Sequence, residues 1–503
     1  MQKVTLALAV MLLLPLAVLA QGNRFIRYNC LGGSDVDPLT PHSSSSRRKL
    51  PTFRTDWQAD KTYRVPVILI EFADRQFSGV NPQATFDRIF NENGYNLGHG
   101  PGCVADYFRE QSGGLFNPVF DVAGPVRVSA SYKGSSSNNY GDKSFREAVE
   151  KADSLFNYAD YDWDGVGKVP QVVFIYAGYG GNESSAKAKG CIWPNTSSFT
   201  QFYVDGVSFG QYTASAELWS TDELCGIGTI CHEFSHCLGL PDVYPTAGSE
   251  FSVLDEWDLM DGGNYSDSGW CPPNYTVQEK ELLGWFSARE LDVTQTVSNL
   301  QPLEAGGDAY RITNSGQANE YYLLENRQQR GWDAFIPGHG LTVLHVDFNL
   351  DSWRFNTINS YPTHHRMDFV HACGHDYSFY EDIYGRSHYV NGRNVNLNGS
   401  AYPFVSDTLV VTDLTDTSVP SPATLFNKNA QGEKLMGKPI VGIQESEDGL
   451  VSFHFFESVE AGIRTIPQGS PAASGIFNLQ GQRLQDVPRR GVYVKNGRKL
   501  VVR

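Results

Sequence analysis

The chain has 503 residues, and its 40 Lys and Arg against 56 Asp and Glu give a formal net charge of −16. Aromatic residues make up 13% of it and charged residues only 19%, which excludes a disordered or coiled-coil protein and leaves a globular chain with room for a large core. Because phosphate contacts need clusters of Lys and Arg, the acidic balance also excludes nucleic acid as a partner.

The N-terminus has the pattern of a secretory signal peptide over residues 1–20. Lys3 precedes an apolar run from Val4 to Ala20, which contains Pro15 and ends in small residues. Such a run is typical of a segment that is removed on export. The alternative is a membrane anchor, but the run is shorter than the about 20 residues that a spanning helix needs. We therefore expect a secreted or cell-surface protein without a transmembrane anchor.

We predict two parts between the signal peptide and residue 290. Residues 21–62 are polar and predict a linker or short pro-segment. Residues 63–290 alternate between buried-strand patterns and helical patterns, which predicts a unit that mixes both. The predicted strands are 64–72 and 169–177, and the predicted helices are 86–90, 106–111 and 144–156.

The remaining residues predict β-structure. Between 291 and 458, short apolar runs are separated by Gly, Asn, Asp and Pro, which favours a β-sandwich-like domain. Residues 459–503 predict a linker and a short β tail, in which Asn496 and Gly497 suit the turn of a hairpin. The predicted fold class is therefore α+β.

The clearest chemistry is in the motif His232-Glu233-x-x-His236-x-x-Gly239-x-x-Asp242. On a helix, residues four apart lie on one face, so His232 and His236 can bind one metal ion. Glu233 lies about 100° round the helix from His232 and can act on a water molecule without being a ligand. Gly239 allows the helix to end in a left-handed turn, and the reversed chain can bring Asp242 to the metal as third ligand. Two imidazoles and one carboxylate leave a fourth position open, as in a catalytic zinc site.

Met260 and Tyr265 follow the motif in the chain and are further candidates for the same site. Met260 is followed by Asp, Gly and Gly, and we predict that it forms a Met-turn, a hydrophobic floor beneath the metal. The alternative is a methionine that fills a gap in the core. Tyr265 is a candidate donor to the oxyanion of the reaction.

For the motif itself, the alternative is a capped surface helix with two satisfied histidines, which Gly239 and Asp242 disfavour.

A second cluster of acids is a candidate calcium site. Asp160, Asp162 and Asp164 precede Gly165 and resemble the opening of a calcium-binding loop. The twelfth position is Gln171 rather than Glu, so the alternative is a turn with exposed acids before the next strand.

Cysteines and a further group of histidines complete the candidates. The 8 Cys of an exported chain predict disulfides, whose pairing stays open. Cys231 and Cys237 are about 9 Å apart along a helix and cannot pair with each other, so we interpret them as core or disulfide residues bonded elsewhere. Histidines near Cys373 are interpreted as surface residues; they are His364, His365, His371 and His375.

With the extended motif, Met260 and the segment Lys280-Glu-Leu-Leu-Gly-Trp285, the chain resembles the secreted immune inhibitor A-like metalloproteases of bacteria. Similar segments also begin at Asp106, Asp160 and Glu325, and the resemblance extends from about residue 64 to 375. It implies a metzincin-like fold with a following β-sandwich. It also implies that the two motif histidines and Asp242 are zinc ligands and that Glu233 is the general base. The C-terminal tail resembles the sorting segments of exported Bacteroidetes proteins, which implies recognition by an export machinery.

The sequence therefore predicts a zinc metalloprotease domain at 63–290 that hydrolyses protein or peptide substrates with a zinc-activated water and Glu233 as general base. The alternative is a surface binding protein, such as an adhesin, whose zinc site is structural or inactive. A zinc-dependent deacetylase or other amidase is a further alternative. The presence of Glu233 favours an endopeptidase over the binding protein, because a non-catalytic site does not need that carboxylate.

Overall fold

The computed structural model describes residues 49–133, 142–183, 185–246, 252–361, 363–374 and 397–459, and the strand segments 379–381, 387–389, 476–477, 483–484, 491–495 and 498–502. The predicted signal peptide and most of the predicted linker at 21–62 lie outside these residues. The chain forms two compact units, one that reaches Glu457 and one from Ser458 to Arg503. In the part of the chain described above, no helix is long and apolar enough to cross a membrane.

Strands and helices alternate up to residue 290. In chain order they are β1 Thr62–Glu71, α1 Pro82–Asn91, α2 Val104–Gln111, β2 Asn117–Arg127, α3 Asp142–Lys151, β3 Lys168–Tyr179, β4 Asn195–Ser198, β5 Tyr203–Val204, β6 Val207–Leu218, α4 Gly228–Leu238, α5 Val277–Leu282 and β7 Arg289–Glu290. The first sheet has the strand order β2-β1-β3-β6-β4, and β5 also pairs with β6. Its first four strands are parallel, whereas β4 and β5 run antiparallel to β6. The predicted mixture of strands and helices is confirmed for this region.

Both faces of the first sheet are covered, which explains why β1 and β3 are continuous apolar runs. Val67 and Leu69 of β1 pack into one core with side chains of α1, α2 and α4. Ile68 and Ile70 pack into a second core on the other face, with Phe145 and other residues of α3. The predicted strands at 64–72 and 169–177 are confirmed as β1 and β3. The helix predicted at 144–156 ends at Lys151, where short 3₁₀ turns replace it.

Strands dominate after residue 290. They are β8 Gln295–Leu300, β9 Tyr310–Thr313, β10 Glu320–Arg327, β11 Gly340–Asp347, β12 Met367–Phe369, β13 Phe379–Glu381, β14 Ser387–Tyr389, β15 Phe404–Val405, β16 Val410–Val411, β17 Ile440–Glu445 and β18 Val451–Phe455, and one short helix, α6 Leu350–Arg354, follows β11. The second sheet has the order β12-β11-β10-β9-β7, and the third has the order β17-β18-β8. Two-stranded pairs are formed by β13 with β14 and by β15 with β16.

The second sheet contributes to two cores, because all eight residues of β10 are buried. Tyr321 and Leu323 belong to the same core as α4 of the first region. Tyr322 and Leu324 belong to a third core, which contains Val297 of β8 and residues of β17 and β18. Residues on both sides of position 290 therefore share one hydrophobic core, and that core supports α4. The predicted sandwich and the boundary at 290 stay predictions.

The C-terminal unit is a small antiparallel sheet. Its strands are β19 Ile476–Phe477, β20 Arg483–Leu484, β21 Gly491–Lys495 and β22 Arg498–Val502, in the order β20-β19-β21-β22. Lys495 pairs with Arg498, as expected for the predicted hairpin, although the turn residues themselves lie outside the described residues.

Candidate metal centre

Helix α4 carries both histidines of the motif on one face. The side chains of His232 and His236 are one turn apart, with ring centroids 4.9 Å from each other. Both are buried, at 1% and 4% exposure. Ile230 and Phe234 of the same helix pack into the core shared with the second sheet. The helix therefore presents two imidazoles to one site while its other face is anchored by apolar contacts.

The helix ends where the sequence predicts. Gly239 has a φ of +109°, and its N–H donates to the carbonyl of His236. A Cβ at this position would lie 3.0 Å from Cδ1 of Phe53 and 3.1 Å from the carbonyl oxygen of Pro51. Glycine tolerates both this backbone angle and the lack of room for a Cβ, whereas other residues do not. The chain then reverses and returns Asp242 to the histidine face.

The three predicted ligands come together. Asp242 is fully buried, and its Oδ1 lies 3.1 Å from Nε2 of His232 and 3.3 Å from Nε2 of His236. Donor atoms about 2.1 Å from one zinc ion at tetrahedral angles are about 3.4 Å from one another. Among the described residues, this is the group of three whose donor atoms lie mutually within 4.8 Å. The donor set and its spacing therefore fit a zinc ion.

Backbone carbonyls fix the orientation of both imidazoles. Nδ1 of His232 lies 2.8 Å from the carbonyl oxygen of Leu259, and Nδ1 of His236 lies 2.8 Å from that of Leu240. A carbonyl can only accept, so we assign the ring proton to Nδ1 in both histidines. In the neutral form of each ring, Nε2 then turns a lone pair to the shared site, which is the usual arrangement of metal-binding histidines.

The electrostatics of the group favour a positive charge at its centre. Burial by itself would raise the pKa of Asp242, but His236 and His232 outweigh burial and hold that pKa below its usual range. Burial would likewise lower the pKa of His236, whereas the Asp242 carboxylate raises it to about 9. Asp242 is thus a carboxylate throughout the neutral range, and it is stabilised by a cation beside it.

Glu233 is buried next to the ligands and has one uncommitted oxygen. Its Oε2 accepts a hydrogen bond from the hydroxyl of Thr196 at 2.9 Å, whereas Oε1 has no hydrogen-bond partner in the described part of the chain. Burial raises the pKa of Glu233, and the two histidines and Thr196 oppose that shift. A buried carboxylate with a free oxygen is suited to taking up and releasing a proton.

Met260 lies in a turn that connects to the ligands on both sides. It is fully buried in the core shared with α4. Its carbonyl accepts the N–H of Val243 at 2.8 Å, and the preceding carbonyl, of Leu259, accepts from His232. The turn thus contacts both α4 and the return segment that carries Asp242, and its role as a floor beneath the metal stays a prediction.

Tyr265 follows this turn in a 3₁₀ segment, Gly262–Gly269. Its hydroxyl accepts a hydrogen bond from Nδ2 of Asn182 at 3.2 Å, and its ring centroid lies 6.0 Å from that of Trp219. These contacts orient the phenol but do not include a metal ligand, so donation to an oxyanion stays a prediction.

Two contacts of the site have no counterpart in the sequence motif. Thr196 lies on β4, 37 residues before Glu233, and Asn356 lies 114 residues after Asp242, to which it is hydrogen bonded. Neither residue belongs to a recognisable pattern, and sequence reasoning missed both.

The acidic loop at 160–164 does not support the calcium interpretation. Asp164 pairs with Arg54 at 2.7 Å, and Asp160 lies 3.4 Å from Arg64. Asp162 accepts the backbone N–H of Gly167 at 2.6 Å. The three carboxylates are therefore used by arginines and by the turn itself, which agrees with the alternative of a structural turn.

The interpretation of the later histidines as surface residues is wrong for two of them. His365 and His371 are buried, at 8% and 3% exposure. Both contact the carboxylate of Asp368. Nδ1 of His365 lies 2.9 Å from Asp368 Oδ2, and Nε2 of His371 lies 3.4 Å from Asp368 Oδ1. His375 lies outside the described residues. The described cysteines do not form disulfides with one another; they are Cys103, Cys191, Cys225, Cys231, Cys237, Cys271 and Cys373.

Comparison with known proteins finds similarity to a peptidase family. Residues 54–284 match the family model described as the catalytic domain of immune inhibitor A peptidase M6. The chain is 24% identical over 303 residues to immune inhibitor A of Bacillus thuringiensis subsp. alesti, which covers 49% of this chain and 44% of that protein. It is also 24% identical over 304 residues to pre-pro-metalloprotease PrtV of Vibrio cholerae serotype O1, which covers 49% of this chain and 33% of that protein. The chain thus spans less than half the length of these curated relatives, and the matched region contains the candidate metal centre.

Proposed function

We propose that the protein is a secreted zinc-dependent endopeptidase that hydrolyses peptide bonds of protein substrates. The observation that carries the proposal is the buried group of His232, His236 and Asp242 beside the uncommitted Oε1 of Glu233. The match of residues 54–284 to a peptidase catalytic domain supports it, as does the similarity to immune inhibitor A and to pre-pro-metalloprotease PrtV.

The three ligands and Glu233 have separate roles in this proposal. His232, His236 and Asp242 would hold the zinc ion, and a fourth position would stay open for water or substrate. Zinc bound there supplies Lewis acidity, which activates water and polarises the carbonyl of the scissile bond. Glu233 takes the proton of the attacking water at Oε1 and then donates it to the leaving nitrogen. The hydrogen bond from Thr196 to Oε2 fixes the orientation of the Glu233 carboxylate, so Oε1 is the oxygen that takes up the proton.

The alternative of a binding protein with a structural zinc site is less well supported. Structural zinc ions are usually held by four protein ligands, whereas the group in the described residues has three. Burial of a carboxylate costs free energy, and Glu233 is fully buried, which favours a catalytic role for this carboxylate over a site that does not use it. A deacetylase or other amidase would use the same residues, so the substrate must be tested directly.

The test is digestion of casein and gelatin by the full chain, with products analysed by mass spectrometry. We expect internal cleavage that a zinc chelator stops and added zinc restores. Glu233→Gln should retain zinc and lose about 100-fold to 10,000-fold in rate. Glu223→Gln, at an exposed position ten residues earlier, is the matched control and should retain both. Chelator-resistant digestion, or full activity of Glu233→Gln, would contradict the proposal.

Export belongs to the same proposal. Residues 1–20 would direct secretion and be removed after Ala20, and an export machinery would recognise the tail at 459–503. N-terminal sequencing and intact mass of the protein from the medium of an expressing bacterium test both points, since uncleaved protein retained in the cell would contradict them.

A further inference from the structure

The third ligand is held by a residue far along the chain. Asn356 lies just after α6, and its side-chain Oδ1 accepts the backbone N–H of Asp242 at 2.7 Å. Its Nδ2 donates to Oδ2 of Asp242 at 2.5 Å. One amide therefore binds both the backbone and the carboxylate of the same residue. Asn356 also lies beyond the residues 54–284 that match the peptidase catalytic domain.

The two carboxylate oxygens of Asp242 have different partners. Oδ1 of Asp242 faces the Nε2 atoms of His232 and His236, at 3.1 and 3.3 Å. Oδ2 is the oxygen that Asn356 binds. Because rotation of the carboxylate would break the contact to Asn356, the amide selects the orientation in which Oδ1 points to the proposed metal position.

The loop that carries Asn356 is itself fixed. Asn356 has a φ of +55°, a left-handed conformation that asparagine and glycine adopt more readily than most residues. Its carbonyl accepts the hydroxyl of Thr246 at 2.5 Å. Three residues later, the buried Asn359 donates to the carbonyl of Val243 at 2.7 Å. The loop therefore holds the return segment at positions 242, 243 and 246.

We propose that Asn356 is a positioning residue that sets the affinity of the site for zinc by holding the Asp242 carboxylate in its binding orientation. The proposal rests on the proposed function only in that it requires zinc at this site. Residues that orient metal ligands typically contribute about 10-fold to 100-fold in metal affinity. It follows that the metal site is completed by a segment outside the matched catalytic domain.

The experiment measures zinc binding to the full chain by competition with a fluorescent chelator, with zinc ions as the only probe. Asn356→Gly keeps the left-handed backbone and removes the amide, and we expect zinc to bind about 10-fold to 100-fold more weakly. Asn356→Asp keeps the shape but turns a carboxylate oxygen toward Oδ2 of Asp242, so its loss should be at least as large. The melting temperature of the metal-free protein is recorded for each variant.

The control is Asn349→Ala, which removes the N-terminal cap of α6, where Asn349 accepts from the N–H of Ser352 at 2.9 Å. It should lower stability without changing zinc affinity. A merely structural role for Asn356 would lower the melting temperature and leave the zinc dissociation constant within threefold of wild type, which would overturn the proposal. If Asn356→Gly is unstable, the affinity of Asn356→Asp decides. A wild-type chain that binds zinc but cleaves no protein would overturn the proposed function alone, and one that binds no zinc would overturn both.

Discussion

A buried ion pair at the end of β10 gives a quantitative stability prediction. Arg327 at the end of β10 makes a two-pronged contact with Asp333, with Nε to Oδ2 at 2.6 Å and Nη2 to Oδ1 at 2.7 Å. The two side chains are only 3% and 0% exposed. Nη2 of Arg327 also lies 3.3 Å from the carbonyl oxygens of Trp257 and Asn274, which lie on either side of Met260 in the chain. The pair therefore joins the second sheet to the segments before and after Met260.

The perturbation is Asp333→Ala. Removal of one partner from a buried pair costs about 3–5 kcal/mol, because the other charge stays buried without compensation. Glu325 lies 3.6 Å from Arg327 and retains part of the attraction, so we expect the lower end of that range, about 3 kcal/mol. When Arg327→Met is added, neither member of the pair remains charged, and the loss of the double variant should be smaller than the sum of the two single losses.

The assay is urea unfolding followed by tryptophan fluorescence, with the slope of the transition used to verify that the variants unfold alike. The matched control is Glu304→Ala, which removes the partner of Arg330 at 3.1 Å, a pair in which the arginine side chain is 46% exposed. That change should cost less than about 1 kcal/mol. Equal losses for Asp333→Ala and Glu304→Ala, or strictly additive losses in the double variant, would refute the reasoning.

Three further predictions concern the site and the region after it. Thr196→Val removes the hydroxyl that donates to Glu233 and should lower kcat/KM on casein about 10-fold to 100-fold, since a hydrogen bond to a charged group contributes about 1.5–3 kcal/mol; Thr196→Ser should keep most of the activity. Gly239→Ala puts a Cβ 3.0 Å from a phenylalanine ring at a φ of +109°, so urea unfolding should show a loss of about 2 kcal/mol, more than Gly206→Ala, which has a φ of +76° and open space. Burial would raise the pKa of Asp368, but its two histidine partners hold that pKa at about 2, so this carboxylate stabilises the protein above about pH 4 and the gain is lost as the pH falls toward 2. Asp368→Asn should therefore reduce stability at pH 6 by about 2 kcal/mol and flatten the acid limb of the stability curve, and an unchanged acid limb would contradict this.

Local sequence pattern predicted some strands and missed others for a physical reason. The runs at 64–72 and 169–177 are apolar because both faces of β1 and β3 are covered. The neighbouring strand β6 is buried along most of its length but contains Thr213, Ser215 and Glu217 in its buried part. Glu217 is accommodated because it accepts hydrogen bonds from the N–H groups of Ser78 and Gly178, at 2.7 and 2.9 Å. No local apolar pattern marks such a strand.

The motif from His232 to Asp242 could be interpreted from sequence alone, because its geometry depends on one helix and one turn. Four-residue spacing on a helix brings the imidazoles to one face, and Gly239 permits the reversal that follows. Residues whose contacts are this local are positioned by backbone geometry rather than by the packing of distant elements.

Tertiary structure decided the contacts that orient the candidate site residues. Thr196 and Asn356 contact Glu233 and Asp242 across 37 and 114 residues of chain, and they come close only because β4 and the loop after α6 lie beside α4 and the return segment in the folded chain. It also decided the burial of His365 and His371, which lie three residues before and three residues after Asp368, the carboxylate that both contact. The sequence by itself determined which residues are candidates to bind zinc, since their spacing and chemistry are local. The long-range packing determined how firmly they are oriented, since orientation depends on hydrogen bonds from residues that meet only in the folded chain.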